Sequence, residues 1–386
     1  MKITSIDVYP LSYKLKKDEI WEASCVYVDI WNYLIVKVNT DEGIYGLGES
    51  GGGHYIPKIG QPIVDFFKRT LIGTKIDDIE KIWRKLYLSS YYWGRRGIGT
   101  SIISAIEIAL WDIKGKFEKK SLYELIGGKK RDKVRIYASG GMQKPIKDLL
   151  TEIDSYLEDG FTAVKVRGGY DKDRDLNIIK EIRGSLGYSF DLMLDTGQNY
   201  VPKNWSIKEA VELCGRLEEY KLLFIEEPYI ADDLKGYGEV KKSVKTPVAM
   251  GETGSTIYEF KEYIDNDIAD VFQPDATNVG GIGQFLKVAK YAGLHNKTIA
   301  PHVFRSGVSF MAHLDLLAVI SNALILEFCK IPNPLMFDML ITEPVIKDGY
   351  IYPPDEPGLG VYIDEKLLKK YSFKDHVQYF KIEKEQ

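Results

Sequence analysis

Apolar and polar positions change rhythm twice along this chain. Residues 3–11 alternate with a period of two, the pattern of a half-buried strand. Residues 25–38 form a longer strand-like run that ends in a turn at 39–43, and residues 44–48 return as its hairpin partner. A glycine-rich segment, Gly51 to Gly53, follows. Beyond it, residues 61–72, 78–89 and 99–118 carry apolar positions three and four apart, which predicts helices. Ile102, Ala105, Ile106, Ala109, Leu110 and Ile113 line one face of the last. Gly127 and Gly128 close the block, so residues 1–128 read as an α+β domain.

From about residue 133 short apolar runs alternate with amphipathic helices. The runs are 134–138, 163–167, 192–195, 223–226, 248–252, 271–273, 299–302 and 324–327, with helical stretches such as 206–219 and 281–294 between them. Repeated βα units at this spacing predict a closed barrel of the (β/α)₈ type over residues 129–343. A doubly wound open sheet fits less well, because no Gly-rich dinucleotide fingerprint opens any of these helices. The tail, 344–386, is less regular and is expected to return to the first domain.

The runs close on Arg167, Asp195, Glu226, Glu252, Asp275, His302 and Glu327, at intervals of 28, 31, 26, 23, 27 and 25 residues. All strands of a parallel barrel point one way, so these side chains share one rim, the rim where barrel chemistry occurs. Asp195, Glu226 and Glu252 come from adjacent strands. Three converging carboxylates stay ionised only beside a strong positive charge. All-oxygen ligation favours Mg²⁺ over zinc. Lys165 and Arg167 alternate with Val164 and Val166, which puts both cations on the inner face of their strand. Asp275 and His302 end neighbouring strands, and a carboxylate beside an imidazole fixes its tautomer and raises its basicity. His54, His295 and His376 read as loop or surface residues, and His313 as a structural residue on an apolar helix.

Composition narrows the class further. The 386 residues are 45% hydrophobic and 28% charged, with a net charge of −4, the profile of a globular protein. No basic face implies nucleic acid, and the evenly spread charges argue against a membrane-surface protein. No run is long enough to span a bilayer and no secretory segment opens the chain. Cys25, Cys214 and Cys329 are isolated and odd in number, so they form neither a disulfide framework nor a zinc pattern; a reducing cytoplasmic setting is expected.

The ordered set of motifs resembles the enolase superfamily, in its mandelate-racemase-like subgroup. The matching pieces are Val164-Lys-Val-Arg167, Leu194-Asp195, Phe224-Ile-Glu-Glu-Pro228, Met250-Gly-Glu252, Gln273-Pro-Asp275, Asn278-Val-Gly-Gly281 and Ala300-Pro-His302. The resemblance implies an α+β N-terminal capping domain over a (β/α)7β modified TIM barrel. It implies Mg²⁺ on Asp195, Glu226 and Glu252, with Glu226 rather than Glu227 as the ligand. It implies that Lys165 and the metal stabilise an enediolate, and that Glu327 hydrogen-bonds the substrate carboxylate in protonated form. Relatives are often homo-oligomers, octamers among them.

Two departures bear on the reaction. Arg167 stands where the subgroup commonly has a second lysine base, and arginine is a poor base. One base, His302, suffices for β-elimination but not for racemisation through two faces. The expectation is therefore dehydration of a sugar acid to a 2-keto-3-deoxy acid, with a racemase or epimerase as alternative. Cycloisomerases that use paired lysines lack the His–Asp pair, and a non-catalytic sugar-acid binder should have lost part of the set. Gly197 stands where many relatives carry asparagine, leaving room for a different substrate group. The segments Ile20-Trp21-Glu22, Gly51 to Tyr55 and Tyr91-Tyr92-Trp93 are candidate lids, the glycines allowing movement and the aromatics excluding water.

Overall fold

The computed structural model describes residues 1–23, 26–201 and 203–375, and the backbone of 379–380. Cys25 and His376 lie outside the described residues. The chain begins with a three-stranded antiparallel sheet of Ile3–Lys14, Ile30–Thr40 and Tyr45–Glu49. Its middle strand serves two cores. Leu34, Val36 and Val38 pack with the helices Gly60–Leu71, Ile79–Ser89 and Ile98–Glu118. Tyr33 and Ile35, on the opposite face by strand periodicity, join a larger core shared with the barrel.

The helix Ile98–Glu118 is buried well beyond the one face its apolar spacing predicts. It lies between the first sheet and the barrel, so its polar side is covered too. Ser101 donates to the Thr277 carbonyl, Gly280 N–H donates to Ser104, and Glu107 accepts from the Ile282 and Gly283 N–H groups. Glu107 thereby caps the helix Ile282–Leu294, where a carboxylate suits the N-terminal dipole.

The barrel strands are Val134–Ser139, Ala163–Arg167, Asp191–Asp195, Ile225–Glu226, Val248–Met250, Val271–Phe272, Thr298–Ile299 and Leu326–Cys329. Successive strands through the seventh pair in parallel, and the eighth pairs in parallel with the first. A parallel bridge between Ile299 and Ala323 closes the remaining seam. Among the described residues seven α-helices connect the eight strands, from Ile146–Glu158 to Gly307–Val319. The architecture is the expected α+β cap on a (β/α)7β barrel.

One layer inside the barrel positions the site. Tyr137, Ala163, Met193, Phe224, Ala249, Val271, Ala300 and Ile325, each from a strand or a residue next to it, form a compact apolar plug. Side chains in a strand repeat on the same face every second residue. Two residues past each plug member stand Ser139, Lys165, Asp195, Glu226, Gly251, Gln273, His302 and Glu327. The polar ring is the next layer up.

After the barrel the chain forms a hairpin, Val345–Lys347 with Tyr350–Tyr352, that pairs antiparallel with the start of the first barrel strand. The patterning gave no strand there. The tail then reaches the first sheet, where Ser372 bridges Leu11. The short strand Tyr379–Phe380 pairs with Val26–Val28, which pairs with Trp21–Ala23. The run predicted to start at 25 is thus two elements, Val26–Val28 and Ile30–Thr40. Among the described residues no helix is long and apolar enough to cross a membrane.

Candidate active site

Lys165 sits at the centre of the ring, 1% exposed. Its ammonium donates to Glu226 Oε2 at 2.8 Å and lies 3.0 Å from Glu327 Oε1 and 3.6 Å from Asp195 Oδ2. Burial alone would lower its pKa, but Glu226 and Glu327 outweigh that and raise it, so the lysine is a fixed cation. Arg167, two residues on, is paired with Asp195 Oδ2 and lies over the Phe304 ring.

Asp275 and His302 meet as expected. His302 Nδ1 is 3.0 Å from Asp275 Oδ2, and Asp275 Oδ1 accepts from Thr277 N–H at 2.8 Å and Thr277 Oγ1 at 2.6 Å. Burial disfavours the Asp275 carboxylate, yet the hydrogen bond from His302 and the charges of His302, Arg305 and His313 hold its pKa well below the usual range. An ionised Asp275 makes Nδ1 the proton-bearing nitrogen and leaves Nε2 for chemistry. Burial lowers the His302 pKa, and Glu252 together with the Asp275 hydrogen bond raises it above the ordinary imidazole value.

Glu327 is held by two donors. Ser139 Oγ donates to Oε1 at 2.7 Å and Val303 N–H donates to Oε2 at 2.7 Å. Burial favours the acid form, but the charges of Lys165, His302 and Arg167 outweigh it and lower the pKa of the carboxyl in the chain without substrate.

The carboxylates of Asp195, Glu226 and Glu252 stand on three adjacent strand ends. Among the described residues no three Asp, Glu, His or Cys side chains are gathered as a ready-made metal cage. Asp195 and Glu226 are turned to Arg167 and Lys165, and Glu252 Oε1 accepts from Tyr200 at 2.6 Å. The donor set nonetheless fits a hard divalent cation. Glu226 Oε1 and Glu227 Oε1 are buried without a hydrogen-bond partner. Glu227, in the left-handed region at φ 47°, is pushed towards its neutral form by burial and by Glu252 and Glu226. Excess buried negative charge of this kind is what a cation relieves.

A cavity of about 440 Å³ opens above the ring. Arg167, Asp195, Gly197, Glu252 and His302 line its barrel side. One wall is aromatic: Trp21, Trp31 and Phe304 have ring centroids 5.4–6.1 Å apart. The other is polar and contains His54, Tyr55 and Arg305. His54 is therefore not a surface residue. It is 6% exposed, because the loop that carries it is pressed between the first sheet and the barrel rim. Arg305 and Tyr200 also went unnoticed in the sequence; Arg305 lies only three residues past His302, a spacing that offered the signal. Gln273 occupies the ring with both side-chain amide atoms unpartnered. His313 is buried and bonded to backbone at Ser309 O and Ala276 N, and His295 ends an outer helix. Of the three lid segments, Trp21 and the 51–55 loop line the cavity. Tyr91, Tyr92 and Trp93 do not: Tyr92 is 101% exposed, and Trp93 packs on Phe66 and Phe67.

Two family descriptions match the chain: "Mandelate racemase / muconate lactonizing enzyme, N-terminal domain" over residues 19–127, and "Enolase C-terminal domain-like" over 148–367. The chain belongs to the enolase superfamily, in its mandelate racemase subgroup. A D-galactarolactone cycloisomerase of Agrobacterium fabrum is 31% identical over 388 residues, covering 97% of this chain and 100% of that protein. An arabinonate dehydratase of Saccharolobus solfataricus is 32% identical over 346 residues, covering 88% and 91%. Among solved structures, a racemase from Streptomyces coelicolor with bound magnesium superposes with a TM-score of 0.86 at 28% identity, covering 96% and 99%. Like these superfamily members, the chain is an enzyme.

Proposed function

We propose that this enolase-superfamily member is a Mg²⁺-dependent sugar acid dehydratase that forms a 2-keto-3-deoxy acid. The observation that carries the reading is the single Asp275–His302 dyad on the rim opposite a fixed cation, Lys165. Asp195, Glu226 and Glu252 would hold Mg²⁺, which when bound supplies Lewis-acid stabilisation of charge on the substrate carboxylate. His302 Nε2 takes the proton from C2. Lys165 offsets the negative charge that develops on the carboxylate in the enediolate, and Glu327 fixes Lys165 in place. The C3–O bond then breaks, His302 returns its proton to the departing hydroxide, and water leaves. The resulting enol tautomerises to the 2-keto acid. Arg167, already positive and paired with Asp195, is suited to hold substrate hydroxyls and not to act as a second base.

A ring-opening cycloisomerase is the second reading, and the Agrobacterium relative favours it. It shares proton removal by His302 and differs only in what leaves from the β-carbon, a ring oxygen in place of a hydroxide. Inversion at C2 without a keto product would point instead to a racemase. In this proposal residues 1–128 with the tail 344–386 select the substrate, and residues 129–343 perform the chemistry. The enzyme works in the cytosol, in keeping with the free thiols of buried Cys214 and Cys329, and as a homo-oligomer. A library of acid sugars assayed with Mg²⁺ for 2-keto acid formation tests the reaction. His302→Asn is expected to abolish product; full activity in that variant would remove the mechanism.

A further inference from the structure

Tyr200 stands on the loop after the third barrel strand, and the reaction above does not use it. The short turn that carries it, Gln198–Tyr200, is pinned on both sides. Gln198 Nε2 donates to the Gly169 carbonyl at 3.1 Å, just past the second strand. The Ala231 N–H, just past the fourth strand, donates to Asn199 Oδ1 at 2.8 Å. Trp205 N–H donates to Gln198 Oε1 at 2.9 Å. A tyrosine presented by so fixed a turn reaches past the fourth strand to the end of the fifth. Its hydroxyl donates to Glu252 Oε1 at 2.6 Å. Burial, and then the Glu252 charge, hold the phenol well above its ordinary pKa, so it keeps the proton it donates.

The other oxygen of Glu252 faces the base. Oε2 is 3.7 Å from His302 Nε2, beyond hydrogen-bond reach, and His302 Nδ1 is committed to Asp275. Glu252 is thus bonded to the phenol and stands just clear of the imidazole. All three side chains line the cavity. Among the described residues no other cationic group pairs with Glu252, so the phenol is its remaining anchor. Were the carboxylate to turn from Tyr200 to His302, each would lose what the reaction asks of it. The imidazole would lose its open nitrogen, and the carboxylate an oxygen for a cation.

We infer that Tyr200 is a positioning residue: its hydroxyl holds the Glu252 carboxylate off His302, so that Glu252 stays available to a divalent cation and His302 Nε2 stays open as the base. The inference rests on the proposed function, in which Glu252 is a metal ligand and His302 takes the proton.

The experiment measures Mg²⁺ binding by calorimetry in the intact chain and in Tyr200→Phe, which removes the hydroxyl and keeps the ring. A ligating carboxylate that loses its hydrogen-bond partner is expected to bind Mg²⁺ roughly 10- to 100-fold more weakly. In a His302→Ala background the same substitution should weaken binding at least roughly threefold less, because Glu252 then has no imidazole to turn to. A tyrosine that merely fills space would show no such coupling. A melt without Mg²⁺ should be little shifted by Tyr200→Phe, and turnover lost at low Mg²⁺ should return at saturating Mg²⁺. Unchanged Mg²⁺ affinity, a loss of equal size in both backgrounds, or turnover that saturating Mg²⁺ fails to restore would overturn the inference and leave the proposed function standing. No Mg²⁺ binding by the parent protein would remove the metal site of the proposed function, and the inference with it.

Discussion

Lys165 shows how closely this site is balanced. One ammonium holds Glu226 and Glu327 in a fully buried ring. Removing one partner of such a group leaves uncompensated charge and costs about 3–5 kcal/mol. Lys165→Met should therefore lower the unfolding free energy by about that amount in metal-free protein, measured by urea denaturation, as well as abolish turnover. An unchanged midpoint would mean the carboxylates are not held by this lysine. Asp275 makes a pH-dependent contribution. Its folded-state pKa is depressed relative to the unfolded value near 3.9. The stabilisation is thus present above about pH 4 and lost as pH falls towards the depressed folded value. Asp275→Asn should flatten the loss of stability between roughly pH 4 and 2, read as a shallower slope of urea midpoint against pH.

At the level of elements, the barrel rim was legible because strand ends recur at one βα unit and several of the candidates follow a plug residue by two. Asp195, Glu226, His302 and Glu327 inherit their placement from Met193, Phe224, Ala300 and Ile325, so pattern alone aligned them. Exposure of the cap segments was not legible. Tyr91-Tyr92-Trp93 and His54 lie in similarly aromatic, glycine-flanked sequence, yet tertiary packing buries one and leaves much of the other in solvent. The 51–55 loop also answers a different question from the one its glycines raised. Gly51 donates its N–H to the Thr277 carbonyl at 3.0 Å, and a Cβ there would overlap Thr277 Oγ1 and Asn278 Oδ1. The glycine permits close docking onto the barrel. Gly51→Ala should cost about 1–3 kcal/mol through overpacking and raise KM by displacing His54. A calorimetric melt together with steady-state kinetics checks both, and a normal KM would mean the loop does not shape the cavity.

On the scale of the whole molecule, the cavity is built by parts remote in sequence. The barrel supplies the ring, the first domain supplies Trp21, Trp31 and His54, and the tail supplies the outer strand of a small sheet. That sheet consists of Trp21–Ala23, Val26–Val28 and Tyr379–Phe380, and Trp21, Ala23 and Val26 all face the cavity. A hairpin of three-residue strands is marginal alone, and a third strand is what gives it independent stability. Deleting residues 376–386 should therefore loosen the Trp21 wall and leave the ring of Lys165, Asp275 and His302 intact. The expected signature is a KM raised by roughly tenfold, the loss of about 1.4 kcal/mol of binding, with kcat nearly unchanged and the barrel's melting transition little shifted. A matching fall in kcat would instead tie the tail to the geometry of the ring, and unaltered kinetics would show that the two-stranded hairpin holds the wall by itself.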